Sequence, residues 1–157
     1  MKTLLVLLKV VLFLWLLIRV AESKDIMEVL ETDNDRFSML VQAINFAGIE
    51  DTLRKGSYTI FAPTNAAFSN LSKDVVDELF SNATKMKSLL SSHIVDGIFY
   101  LSDLMKLEEL MTIDGVVINI KDLGSSNMVG NSTITQTDMK ADNGVIHTIA
   151  SVLQTTE

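Results

Sequence analysis

Thr59-Ile60-Phe61-Ala62-Pro63-Thr64-Asn65-Ala66-Ala67-Phe68 decides how the chain is read. With Tyr58 in front, residues 58–62 form a run rich in aromatic and β-branched side chains, which predicts a strand. Pro63, the only proline, ends it, because proline has no N–H to give a ladder. Thr64 or Asn65 then caps a short helix through Phe68, its side-chain oxygen taking a free N–H of the first turn.

Outward toward the N-terminus, Phe37, Leu40, Val41, Ile44 and Ala47 recur at helical spacing, and Gly48 stops the helix. Met39 and Phe46 widen the apolar stripe, so this helix is expected to be well buried. Residues 24–35 are mixed and read as a lead-in helix or arm. Toward the C-terminus, Ser72 caps another helix, with Asp74 near its positive end and Val75, Val76, Leu79 and Phe80 on one side. Met86, Leu89, Leu90 and His93 follow at i, i+3, i+4 and i+7, which puts His93 on the buried side as that helix ends. Ser102 is expected to cap one more short turn, 103–107.

The period then changes. Val116, Ile118 and Ile120 alternate with Val117, Asn119 and Lys121 after Asp114-Gly115. An Asp-Gly pair ahead of such alternation predicts a hairpin whose two turn residues both take positive φ. Gly130-Asn131 and Asn143-Gly144 mark further turns. Ile134 lies in a Thr-rich strand, and 145–152 form the last strand. Helices first and antiparallel strands last make an α+β protein.

Residues 1–23 are read as an address. Lys2 gives a positive start, apolar runs 4–8 and 10–18 follow, and Ala21-Glu22-Ser23 places small residues before a cut ahead of Lys24. The alternative is an uncleaved anchor, which would have to bury Lys9. The remaining 24–157 suffice for one domain with its own core. The formal charge is -7 at pH 7, and removing 1–23 makes it more negative. An acidic surface disfavours nucleic acid and anionic membranes. With no cysteine, thiol catalysis, thiolate zinc and disulfide cross-links are excluded.

Three segments, in order, resemble the signature boxes of the fasciclin (FAS1) family. They are residues 59–68; Leu89-Leu90-Ser91-Ser92-His93-Ile94-Val95-Asp96-Gly97; and Asn143-Gly144-Val145-Ile146-His147-Thr148-Ile149-Ala150-Ser151-Val152-Leu153. The resemblance covers essentially all of 24–157. Ser92 stands where a tyrosine often precedes the middle histidine, Ala150 where an Asp is usual, and Leu153-Gln154 where Leu-Pro is usual. The loss of the tyrosine weakens any Tyr-His adhesion motif. The resemblance implies a wedge-like pair of antiparallel β-sheets flanked by helices. It implies structural roles for Phe61, Pro63, Asn65, Phe68, His93, Asn143, Gly144 and His147. It also implies extracellular or cell-envelope adhesion without enzymatic activity. An Asp-Ile pair that precedes the last box in adhesive members is matched here by Asp138-Met139.

An exposed Asp138 is suited to complete the coordination of a cation held by an integrin-like receptor, since hard cations prefer carboxylate oxygen. The plainer reading is a solvated turn residue. His93 and His147, the only histidines, either share a metal with a carboxylate or tie helix and strand ends to backbone. Asn65 is read as a helix cap. Asn70, Asn82 and Asn131 each begin an N-glycosylation triplet. Glu108 and Glu109 are adjacent and would face opposite sides of a strand, Asp33 and Asp35 lack the rest of a calcium loop, and no nucleophile elbow or phosphate loop occurs.

The function expected is a secreted or cell-surface adhesion module, with no cofactor, that binds a receptor, matrix protein or glycan, with weak self-association as a route to avidity. Two alternatives stand beside it. One is a carrier for a small apolar ligand in a groove between helices and sheet. The other is an accessory subunit of an envelope or membrane complex with 1–23 retained.

Overall fold

In the computed structural model, which describes residues 1–17, 23–121 and 126–154, the helices come first and most of the strands last. Helix α1 spans Lys2–Leu17, and its apolar side chains, among them Leu4, Phe13 and Trp15, are exposed. Among the described residues no helix is long and apolar enough to cross a membrane. The remaining helices are α2 (Ile26–Thr32), α3 (Asn34–Ala47), α4 (Glu50–Lys55), α5 (Asn65–Ser69), α6 (Lys73–Ser81), α7 (Ala83–Ser91) and α8 (Leu101–Leu104). The strands are β1 (Tyr58–Pro63), β2 (Ile94–Asp96), β3 (Glu109–Met111), β4 (Val117–Lys121), β5 (Met128–Val129), β6 (Ser132–Ala141) and β7 (Gly144–Ile149).

Local chemistry sets most of the helix ends. Asp25 and Glu28 form a reciprocal capping box at the start of α2. Gly48 closes α3 with a left-handed φ of 69°. Thr64, Ser72 and Asn82 cap α5, α6 and α7. At α8 the expectation fails. The helix begins at Leu101, so Ser102 lies inside it, and Asp103 reaches back to the Tyr100 N–H instead. Helix α4 has no counterpart in the sequence reading; it is short and buries only Leu53.

The strands run in the order β2-β1-β7-β6-β5-β4-β3. One pairing departs from the antiparallel expectation. β1 and β7 lie parallel, from Tyr58 opposite Gly144 to Pro63 opposite Ile149. A parallel pair needs a long crossover, and residues 64–143, with α5 to α8 and β2 to β6, lie between these two strands. Two register shifts in β6, between Ile134 and Met139, interrupt its pairing with β7. Bulges of this kind bend a strand.

The turns also differ in detail. Gly115 N–H bonds to the Thr112 carbonyl at 2.9 Å, and Thr112 N–H to the Val116 carbonyl at 2.9 Å. The β3–β4 loop is therefore three residues, with positive φ at Gly115 but not at Asp114. Thr112 Oγ1 accepts the Val116 N–H, which the longer loop would otherwise leave free. Between β6 and β7 the turn is Asp142-Asn143, and Gly144 already belongs to the strand.

Two core clusters result. The first packs α2, α3, α4, α5 and α7 on one side of the sheet through Leu30, Phe37, Leu40, Ile44, Leu53, Phe68, Met86 and Leu90. The second takes one residue from every strand: Phe61, Val95, Leu110, Ile118, Val129, Ile134 and Ile149. Strand alternation feeds both, with Ile60 in the first and Phe61 in the second. All seven strands of one sheet thus share an interior cluster, in the α+β arrangement expected from the sequence. Helix α1 contributes to neither cluster, so residues 24–157 carry all of both. Phe46 is a correction: it is 39% exposed, with its ring tilted against Phe80 at 5.8 Å between ring centres.

Gly144 is where the helical core and the parallel pair meet. A Cβ there would lie 2.1 Å from the Tyr58 carbonyl oxygen and 2.5 Å from Ile26 Cδ1. The carbonyl is backbone and cannot turn aside. Gly115 differs, since a Cβ there meets nothing within 4 Å and only its φ of 80° objects. Gly144→Ala is expected to cost about 3 kcal/mol or more, and Gly115→Ala about 1 kcal/mol. Urea denaturation of the two variants side by side checks the order; equal losses would refute the close approach at Gly144.

Candidate functional site

The boxes of the sequence meet at the parallel pair, and most of their polar side chains serve backbone groups. Asn143 Oδ1 accepts the Ile26 N–H at 2.9 Å, while Nδ2 donates to the carbonyls of Leu53 at 2.7 Å and Gly56 at 3.0 Å. One amide thus joins α2, the end of α4 and the entry to β1. Asn65 corrects its expected role. Thr64, not Asn65, caps α5. The Asn65 amide instead reaches α3, where Oδ1 accepts the Met39 N–H at 2.9 Å and Nδ2 donates to the Asp35 carbonyl at 3.1 Å. Those two groups are the i+4 and i partners of one helical turn. Pro63, Phe61 and Phe68 are buried.

Each histidine uses both nitrogens on backbone. His93 Nδ1 meets the Leu89 carbonyl at 2.7 Å, and Nε2 accepts the Leu153 N–H at 2.9 Å. That geometry places the ring proton on Nδ1 and fastens the C-terminal segment to the end of α7. Burial pushes the His93 pKa down to about 4, against a smaller upward pull from the Leu89 carbonyl. His147 has the other tautomer. Nε2 donates to the Phe99 carbonyl at 2.8 Å, and Nδ1 accepts the Asp138 N–H at 3.3 Å. Its pKa is also lowered by burial, with the Phe99 carbonyl and the Asp138 charge opposing. A metal would have to displace one of these bonds at either ring.

Asp138 sits in the bent part of β6 and is the only non-glycine described with a positive φ, 57°. Its Oδ1 accepts the Leu101 N–H at 2.8 Å, so β6 supplies an end partner for α8. The side chain remains 38% exposed, and Oδ2 makes no hydrogen bond to the described residues. Met139 points differently. It pairs with Ile146, packs against the helical core, and its sulfur lies 3.5 Å from Thr148 Oγ1. The Lys140 ammonium stands 5.9 Å from the centre of the Tyr100 ring. The exposed part of the candidate contact is therefore the Asp138 carboxylate, with Tyr100, Leu101 and Lys140 around it.

The three glycosylation asparagines are all exposed: Asn70 at the end of α5, Asn82 at the cap of α7, and Asn131 in the β5–β6 turn. Sequence reasoning missed Thr59, which is buried. Its Oγ1 donates to the Gly97 carbonyl and accepts the Phe99 N–H, both at 2.8 Å, and so fixes the segment leading to α8. In the sequence it reads only as a β-branched strand residue. The space between helices and sheet, lined by Leu40, Ile44, Leu53, Ile60 and Leu90, is about 10 Å³, far below the roughly 300 Å³ of a small-molecule pocket. An open groove of about 370 Å³ lies instead among α3, α5 and α6, lined by Met39, Phe68, Leu71 and Val76.

A family model for the fasciclin domain matches residues 35–155. The chain belongs to the fasciclin domain family. It is 39% identical over 130 residues to the transforming growth factor-beta-induced protein ig-h3 of Sus scrofa, covering 82% of this chain but 19% of that protein. It is 36% identical over 130 residues to the uncharacterized protein sll1735 of Synechocystis, covering 82% of this chain and 96% of that one. The fasciclin domain pair of the insect cell adhesion molecule Fasciclin I superposes with a TM-score of 0.69 at 22% identity, over 84% of this chain and 51% of that chain. The fold is thus found both as one unit of a much longer chain and as nearly the whole of a short one.

The two depressed histidines make stability depend on pH in a fixed direction. Their folded pKa values lie below the unfolded value of roughly 6.5, so protonation favours unfolding. Stability is complete above that value and is lost as pH falls; for His93 the loss ends near pH 4. The His93 contribution is on the order of 3 kcal/mol. Urea denaturation at pH 7, 5.5 and 4.5 is expected to show this decline, with a shallower slope in His93→Gln. Equal slopes in the two proteins would refute the assignment to His93.

Proposed function

We propose that this fasciclin domain is a secreted or cell-surface adhesion module without enzymatic activity. It contacts a protein or glycan partner through surface segments. The observation that carries the reading is Asp138. It is held in a backbone conformation that is uncommon outside glycine, though Asp tolerates it better than most, and it keeps a free carboxylate oxygen in a partly exposed side chain. Strain maintained by neighbouring elements at the surface is a mark of functional sites. A single carboxylate on a rigid support suits completion of the coordination shell of a cation held by a receptor of integrin-like chemistry. Residues 1–23 act as the secretory leader, cut ahead of Lys24, and 24–157 are the mature domain. The exposed apolar side chains of α1 support this, because they require either removal or a membrane.

A second reading, a carrier for a small apolar ligand, has one supporting feature, the groove among α3, α5 and α6.

The test is attachment of cells from the native context to surfaces coated with residues 24–157, with and without a divalent-cation chelator. Asp138→Asn keeps an oxygen for the Leu101 N–H and removes the charge. The expected result is cation-dependent attachment to the parent domain and at least a five-fold loss in the variant at unchanged thermal midpoint. An inert parent domain would overturn the adhesion reading, and equal attachment would move the contact away from Asp138.

A further inference from the structure

We propose that His147 and Asp138 form an acid-operated latch on the candidate contact: a proton taken up by the imidazole transfers the Asp138 carboxylate from the Leu101 N–H to the ring. The assignment of a contact rests on the adhesion reading; the exchange itself does not.

The argument is one of donors and acceptors. In the neutral ring Nδ1 is an acceptor for the Asp138 N–H at 3.3 Å, and Nε2–H is held by the Phe99 carbonyl. The incoming proton has only Nδ1 to go to. Nδ1–H then faces the Asp138 N–H, two donors that repel. A charged acceptor within reach is the same residue's Oδ1, 4.0 Å from Nδ1. A movement of about 1 Å brings it to charge-assisted hydrogen-bond distance. Oδ1 already serves the Leu101 N–H at 2.8 Å, so that bond is stretched or given up. The Nε2–H bond is the same in both states. The change is therefore confined to the β6 side of the ring and to the first residue of α8.

Charges around the ring favour this exchange over any other. On β6 the facing charge is Asp138; the Lys140 ammonium is turned over the Tyr100 ring. On the segment entering α8, Asp103 is engaged with the Tyr100 N–H. On β1 the neighbour is Phe61, stacked at 5.7 Å and uncharged. Burial lowers the pKa of His147, so the latch operates in acid and is closed at neutral pH. The backbone adds a reason to move, since Asp138 loses the N–H bond that helps hold its φ of 57°. In the acid state the imidazolium neutralises the carboxylate, which then no longer suits a receptor-held cation.

The experiment is NMR on residues 24–157 between pH 7.5 and 5, following the His147 ring nitrogens and the amides of Asp138, Leu101 and Leu153. Expected is a joint shift of the Asp138 and Leu101 amides with the His147 titration, and at least ten-fold faster hydrogen exchange at Leu101. Leu153, which reports His93, is expected to stay still over this range. In Asp138→Asn the Leu101 amide is expected no longer to follow the ring. Leu101 protection that stays constant through the His147 titration would overturn the latch, as would a His147 ring that takes no proton while the domain is folded. Cell attachment at pH 7.5 separates the two proposals: its absence sinks the adhesion reading and leaves the NMR result standing, while attachment without the amide shifts sinks the latch alone.

Discussion

The parallel pairing of β1 with β7 is the constraint on which the rest depends. It sets Phe61 opposite His147 and Tyr58 opposite Gly144, and it places the last strand in the sheet's interior rather than at its edge. No local turn can make such a pair. The chain must close the loop of residues 64–143 first, at an entropic cost that rises slowly with loop length but is met before any contact forms. Three features are concentrated there to offset it. Gly144 lets the backbones approach, Asn143 satisfies backbone groups from three other elements, and buried Ile60, Ile146 and Ile149 close the two faces. The first and last boxes are thus two halves of one contact.

That origin explains what could be read in the sequence and what could not. Helices α3 and α7 show themselves by period, because each buries one stripe, and the alternation of β4 shows itself because one face stays wet. Asn65 was misread for a physical reason. A polar residue ahead of a short helix has a local use as a cap, but its amide bonds lie on α3, nearly thirty residues away. Ser102 failed likewise, since partners for the start of α8 come from Asp103 and from distant Asp138. Phe46 extends a helical stripe correctly but stays partly exposed beside Phe80. The parallel pair has no local signal at all, and neither does the second partner of any buried side chain.

The candidate site was half legible for the same reason. Asp138 could be singled out, but in the sequence it offered a free carboxylate. In the fold one oxygen is committed to Leu101, and the backbone N–H to His147. Met139, its sequence neighbour, turns inward because strand neighbours face opposite sides. Besides Lys140 of β6 itself, the residues that share Asp138's surface come from α8 and its entry, held in place by Thr59 from the first box. A surface contact thus reports on the same interior framework that the boxes build.

The two histidines show how one residue type takes two roles. His93 accepts from Leu153 and donates to Leu89, both backbone groups. Protonation would leave the new N–H facing the Leu153 N–H, so acid loosens the domain. His147 has the same kind of pairing but a carboxylate within 4.0 Å of the nitrogen that gains the proton. Its protonated state has somewhere to go without unfolding. The difference is not burial, which is nearly complete for both, but whether an acceptor that can move lies on the surface side of the ring. At His147 β6 provides one, and it does so at the residue where its strand geometry is already broken.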